Sequence, residues 1–510
     1  MTDRVDLLEE RVAALSAAVA ALEGRLGALE GRPAAARPAE AGAEAAAARP
    51  EADEATALPT VAGSAPAVLA GRAFLGVGGA FLFRTLTEAG TLPHAAGVAL
   101  GLTYAAAWIL AADRSGRAGR RADAVLHSFL GLAVSLPLLW ESTARLQALS
   151  PGAAAGLLAA VGVAVFSVAW RHDLASAAWA ATLGAVGTAW ALLLATARIE
   201  LFTVLLIGFG AATLWATYGR RWHGLRWPAA LGADLAVLAL VTLGARPGGP
   251  PAAWTGLSPG RAVAVALLLF VVYAGSFAAR TLARRRDVNV FEVFQTAAVL
   301  LVGYGGAVRL AQAAGSGERA LGVAALVLAA LAYGASFGFV SREAPGARNF
   351  AFFSSLAIVL ALTGGGLLAS GPTLAVGWTL FGLAAALLGV RFGRRSLLVH
   401  GAGYLAAASV PSGLVGAGLA AFSGPGAPLP SPPGAAAGGV ALVAAACWAV
   451  SVGSRRSGLK DGAAWAPRTL LLAIAAAGAG AALVALSVRA LPPGSLAPVR
   501  ATVFAAAAVG

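Results

Sequence analysis

Asp234, Glu292, Gln295 and His400 each place an ionisable or amide group inside a run of apolar residues long enough to cross a bilayer. Such groups are the first place to look for chemistry. A charge near the bilayer centre costs about 2.5–3.5 kcal/mol even on insertion scales, and it persists only with a partner, a cavity or a task. Asp234 is the deepest, about seven residues or roughly 10 Å from the start of its span at ~1.5 Å per residue. Glu292 and Gln295 are three residues apart and share a helix face. With His400 they are expected to line a polar cavity open to the cytoplasm. Arg72 and His127 are placed in the same way. For Arg72, His127, Glu292 and His400 the plainer expectation is structural, because a group one or two turns from a span end can snorkel or pair with the adjacent arginine turn.

Two spans carry helix breakers. Pro411, Ser412 and Gly413 fall in the middle of a long apolar run, 396–422, and Gly364, Gly365 and Gly366 interrupt another. Broken helices in transporters expose backbone groups that hold substrate or ions, so both places are candidate sites. The simpler alternative is a kink or a smooth surface for close packing, as expected also of Gly97 with Gly101 and Gly152 with Gly156. Enzymatic signatures are missing: there is no Gly-Lys-Ser/Thr phosphate loop, no His-Glu-x-x-His zinc motif and no close carboxylate pair within a span. Gly-x-Ser-x-Gly occurs around Ser258 and Ser336, but neither follows a strand as a nucleophile elbow requires. Cys447 is the only cysteine, which excludes an intramolecular disulfide and a cysteine metal site. No catalytic residue, cofactor or metal is therefore expected.

The elements that must position these residues are membrane helices. The chain of 510 residues is 59% hydrophobic and 12% charged, far from the roughly 25% charged of a soluble domain. Apolar segments recur at 67–86, 94–112, 124–140, 151–169, 174–196, 199–217, 227–244, 261–280, 290–313, 319–340, 350–369, 373–390, 396–422, 434–453, 469–488 and 501–510. The expected fold is all-α, a polytopic bundle of about fifteen or sixteen spans. Arg72 and Pro137 weaken the first and third, and the last stops at Gly510 after ten residues, which reads as part of a longer protein. The formal charge of +14 sits in the turns between spans, so the partner it implies is the lipid bilayer and not nucleic acid. With the amino terminus inside, inside turns carry 21 Lys and Arg and outside turns carry 9, which favours a cytoplasmic amino terminus. Trp140, Trp170, Trp222, Trp227, Trp254 and Trp465 fall near span ends, where interfacial aromatics belong. One Lys against 36 Arg, with the Ala and Gly excess, suggests a GC-rich bacterial genome and hence a bacterial inner membrane.

The amino terminus is different. Val5, Leu8, Val12, Leu15, Val19, Leu22, Leu26 and Leu29 alternate in steps of 3 and 4, which is a four-heptad coiled coil over 1–30. Val at three of four a positions and Leu at every d position favour a parallel homodimer first and a trimer second. A lone amphipathic helix is the alternative, although acids such as Asp6, Glu9, Glu10 and Glu23 suit anionic lipid poorly. Residues 31–66 are rich in Ala, Pro and Glu, with no large apolar residue before Leu58, and are expected to be a disordered tether to the 67–510 membrane domain.

A coiled coil, a Pro- and Ala-rich tether and many Gly- and Ala-rich spans resemble an uncharacterised family of bacterial multi-pass membrane proteins known only as a domain of unknown function. The stretch that carries the likeness most closely is "GRAFLGVGGAFLFRTLTEAGTLPHAAGVALGLTYAAAWILAAD", Gly71 to Asp113, with His94 where that family tends to have Arg. The resemblance implies the architecture and no activity. Three functions fit the sequence: a transporter or flippase of a small or lipid-linked solute, a structural or scaffolding protein oligomerised by the coiled coil, and, less well, a membrane-embedded transferase.

Overall fold

The computed structural model describes residues 65–254, 256–339, 348–422, 434–453 and 465–490, with short stretches at 498–499 and 501–502. The coiled coil, nearly all of the tether and most of 501–510 lie outside these residues. The described residues contain helices and turns and no strand. They form α1 (Ala65–Glu88), α2 (His94–Arg117), α3 (Arg121–Ala144), α4 (Pro151–His172), α5 (Ala175–Thr196), α6 (Ile199–Gly219) and α7 (Arg226–Gly244). After a short 3-10 turn at Ala252–Trp254 come α8 (Pro259–Ala283), α9 (Val290–Ala313), α10 (Glu318–Gly338), α11 (Arg348–Leu368) and α12 (Gly371–Arg391). The last are α13 (Arg395–Ser409), α14 (Leu414–Phe422), α15 (Ala435–Gly453) and α16 (Trp465–Ala490).

Thirteen of these helices are long and apolar enough to cross a membrane, or fourteen if α13 and α14 form one bent span. The count covers the described residues, and the expected span 501–510 lies almost wholly outside them. α1, which carries Arg72 and Arg84, has the length but is not among the thirteen. The helices form because long Ala, Leu and Gly runs satisfy every backbone group internally, as a bilayer demands. Their ends are set by local chemistry. Ser150 caps α4 by accepting from the Ala153 amide with Pro151 in the first turn, and Asp173 closes the helix in a left-handed conformation at φ 55°. Pro137 does not end α3. It removes one amide from the ladder, and Ala133, whose carbonyl would have accepted it, joins Pro137 in the wall of a cavity of about 230 Å³ between α1, α2 and α3.

Sequence neighbours pack as hairpins: α2 on α3, α4 on α5, α6 on α7, α10 on α11, α12 on α13 and α15 on α16. One apolar core runs from Leu139 of α3 through Phe202, Leu240 and Leu269 to Leu360 of α11. A second joins α12 to α16 around Ala386, Leu405, Val440 and Leu471. Phe74, Leu183, Leu301, Leu331 and Leu380 face outwards, as lipid-facing side chains do. Trp140, Trp170, Trp227 and Trp465 are likewise exposed, whereas Trp222 is buried against Leu225, Ala177 and Phe166.

The candidate breaks divide. At Pro411 and Gly413 the chain bends by 75° between α13 and α14, with Gly413 at φ 80°. Gly364, Gly365 and Gly366 interrupt nothing, and α11 runs through them to Leu368. Gly364 and Gly365 are packing glycines: a Cβ on Gly364 would lie 2.8 Å from the Gly322 carbonyl, and one on Gly365 2.7 Å from the Trp378 indole nitrogen. Gly97 and Gly101 also meet close neighbours, Thr87 and Leu138, while Gly152 and Gly156 face open space and hold no helix against them.

Candidate functional site

Asp234 lies near the middle of α7, and Gln295 in the second turn of α9 faces it. The Gln295 amide nitrogen donates to both Asp234 oxygens at 2.9 and 3.0 Å. Both side chains are buried, at 8% and 5% exposure. α9 is held in this register by its own start. Asn289 and Glu292 form a reciprocal capping box, in which Asn289 accepts from the Glu292 amide and Glu292 accepts from the Asn289 amide. One turn after Gln295 the helix widens into a π-turn at Val299–Tyr304, where Gly303 brings its backbone against Ala266 and Phe270 of α8.

Glu292 is one turn from the pair and has a different life. It is fully buried, and it accepts from the Tyr218 hydroxyl at 2.7 Å and from Arg280 at 2.9 and 2.8 Å in addition to the capping amide. Arg280 also donates to the Asp287 carbonyl and lies 5.0 Å over the Tyr218 ring. Every lone pair that matters is occupied, so this carboxylate is a rivet between α6, the end of α8 and the start of α9.

His400 is elsewhere. Its Nδ1 is 3.3 Å from the Tyr333 hydroxyl, which is itself 3.1 Å from the Tyr404 hydroxyl, joining α13 to α10. The structure thus brings Asp234 and Gln295 together, sets Glu292 beside them in its own ion pair, and puts His400 in a separate aromatic cluster. Arg72 pairs with Asp123 at 2.9 Å, and His127 meets Ser115 at 3.2 Å. The two Gly-x-Ser-x-Gly serines are structural: the Ser258 amide donates to Glu200, and Ser336 is buried and donates to the Phe350 carbonyl.

Sequence reasoning missed three participants. Tyr218 and Arg280 complete the Glu292 rivet. Tyr273 of α8 is fully buried, and its hydroxyl has no hydrogen-bond partner among the described residues. The available signal was Tyr where Phe would pack as well. Cation pairing separates the buried acids. Asp113 is bound by Arg117, by Arg171 at 3.0 Å and by His172 at 2.9 Å, and Glu292 is bound by Arg280. Asp234 alone among the buried acids of the described residues is met only by a neutral amide. A carboxyl so placed is suited to take up and release a proton or a small cation. Comparison with protein-family models, with curated proteins and with solved structures found no match.

Proposed function

We propose that this protein is a cation-coupled transporter or flippase of a small or lipid-linked solute, with Asp234 as the carboxyl that carries the coupling proton or cation. The observation that carries the reading is the missing counter-cation. An ionised carboxylate buried in mid-span with one amide donor is costly, whereas the same group protonated or holding a cation is not. The 75° bend at Pro411 supports the same reading, because discontinuous helices recur in secondary transporters. The cytoplasmic amino terminus and the inner-membrane location belong to this proposal, on the strength of the arginine-rich turns. A scaffold is favoured by one observation, the completely satisfied Glu292 rivet, which has nothing left to bind a solute.

A hydrophobic carbodiimide, which attacks protonated carboxyls in apolar surroundings, distinguishes the two acids. Treatment of membranes followed by peptide mass spectrometry should find the adduct on Asp234, suppressed at high pH or by the coupling cation, and none on Glu292. An adduct on Glu292 and not on Asp234, or no adduct on either, rules the assignment out.

A further inference from the structure

A crevice of about 440 Å³ opens between α4, α5 and α6, and neither Asp234 nor Gln295 lines it. Its walls are mostly apolar, from Gly162 and Phe166 to Phe209. Three hydroxyls interrupt them: Ser167, Thr182 and Thr213. Helix hydroxyls elsewhere in the bundle, such as Ser128, Ser135, Thr143 and Thr196, donate back to a carbonyl in the preceding turn. These three, like Thr203 of α6 outside the crevice, have no hydrogen-bond partner among the described residues; Thr182 and Thr213 are only 5% and 4% exposed, while Ser167 is exposed. Hydroxyls left without partners in an apolar wall, that of Thr182 fully buried, point to an acceptor that arrives with a ligand.

Their depth identifies the ligand. Counting from His172, Ala175 and Gly219 at one end of the bundle, the hydroxyls fall five, seven and six residues in, a common level roughly 7–11 Å below the rim at ~1.5 Å per residue. The rim holds Arg171 and Trp170, with the Arg220 guanidinium 5.1 Å from the Trp170 ring. Arg114, Arg117, Arg120, Arg121, Arg171, Arg220 and Arg221 at this end outnumber Asp113, Asp123 and Asp173, with which several of them pair. A headgroup layer is about 5–8 Å deep on each side of the hydrocarbon, so a phosphate at the rim places ester carbonyls at the level of the hydroxyls.

We propose that the α4–α6 crevice binds an anionic phospholipid, with its phosphate at the Arg171 and Arg220 rim, its ester carbonyls accepting from Ser167, Thr182 and Thr213, and one acyl chain along Gly162 and Phe209. The site stands whether or not Asp234 carries a cation.

The test uses the full chain in nanodiscs with a trace of phosphatidylglycerol bearing a diazirine close to the sn-2 ester. Irradiation and peptide mapping should place adducts on the crevice faces of α4, α5 and α6. Unlabelled phosphatidylglycerol should compete at least fivefold better than phosphatidylcholine, and inorganic phosphate should not compete. Thr182→Val with Thr213→Val, which keeps shape and removes two donors, should lower crevice labelling roughly tenfold with unchanged thermal stability. If that variant loses stability, Ala212→Leu, which narrows the crevice from its exposed side, serves in its place with the same expected loss. Labelling spread evenly over lipid-facing helices, equal competition by phosphatidylcholine, competition by phosphate alone, or undiminished labelling in the variants overturns the proposal.

Discussion

Replacing Arg280 with methionine tests the reading of Glu292 as a rivet. The carboxylate is fully buried and Arg280 is only 17% exposed, with one guanidinium nitrogen reaching both oxygens. Arg280→Met keeps the stem and removes the charge, leaving Glu292 with the Tyr218 hydroxyl and the Asn289 amide. Breaking a buried pair from one side costs about 3–5 kcal/mol. The partial exposure of Arg280 argues for the lower end, about 3 kcal/mol, even with the lost contact to the Tyr218 ring included. The double variant Arg280→Met with Glu292→Met removes the buried charge and loses mainly the capping box, about 1 kcal/mol, so it should be more stable than Arg280→Met alone. Reversible unfolding in mixed detergent micelles, followed by tryptophan fluorescence, measures both, and the difference is the coupling energy. A loss below ~1 kcal/mol for Arg280→Met, or strict additivity in the double variant, would refute the reasoning.

Further expectations use the same unfolding assay. Gly210→Ala would put a methyl 2.1 Å from the Tyr273 hydroxyl oxygen, costing about 1–3 kcal/mol, and Tyr273→Phe in the same chain should recover most of it. Gly364→Ala presses against the Gly322 carbonyl and should cost a similar ~1–3 kcal/mol, whereas Gly366→Ala, whose nearest neighbour is 4.0 Å away, should be neutral or gain up to ~1 kcal/mol of helix propensity. Gly413→Ala forces a side chain into φ 80° and should cost about 1–2 kcal/mol, while Gly152→Ala, in open space, should cost nothing.

The sequence announces the helices because a bilayer leaves a chain few options: apolar length and arginine turns mark spans almost without reference to tertiary structure. Pairings are harder to read. Asp234 and Gln295 are 61 residues apart on different helices, and only the rotation of α7 against α9 makes them partners. The capping box at Asn289 and Glu292 is legible as a local pattern, yet an ionisable residue inside an apolar run reads equally as a site residue, and the sequence does not show the Arg280 and Tyr218 partners that decide. Gly364 to Gly366 misled for a related reason. Glycine in a span marks a break and a tight contact alike, and the choice depends on whether a neighbouring backbone, here Gly322, comes within reach. The crevice hydroxyls carry no sequence signal, because a threonine that bonds its own helix and one that does not are written identically.

For Asp234 to carry the coupling proton or cation as proposed, its pair with Gln295, closed in this structure, must open to water during the cycle. Gln295 and Ala230, one turn before Asp234 on α7, are buried at 5% and 1% exposure, so a rigid bundle would keep both dry. The decisive measurement is the labelling rate of single cysteines, Gln295→Cys and Ala230→Cys in a Cys447→Ala background, by a membrane-impermeant thiol reagent in vesicles of each orientation. The account predicts slow but complete labelling of both from at least one side, with Ala262→Cys, packed in the same core, unlabelled. Silence at both positions, with cysteines in the arginine turns labelled normally, would contradict it and leave a static scaffold.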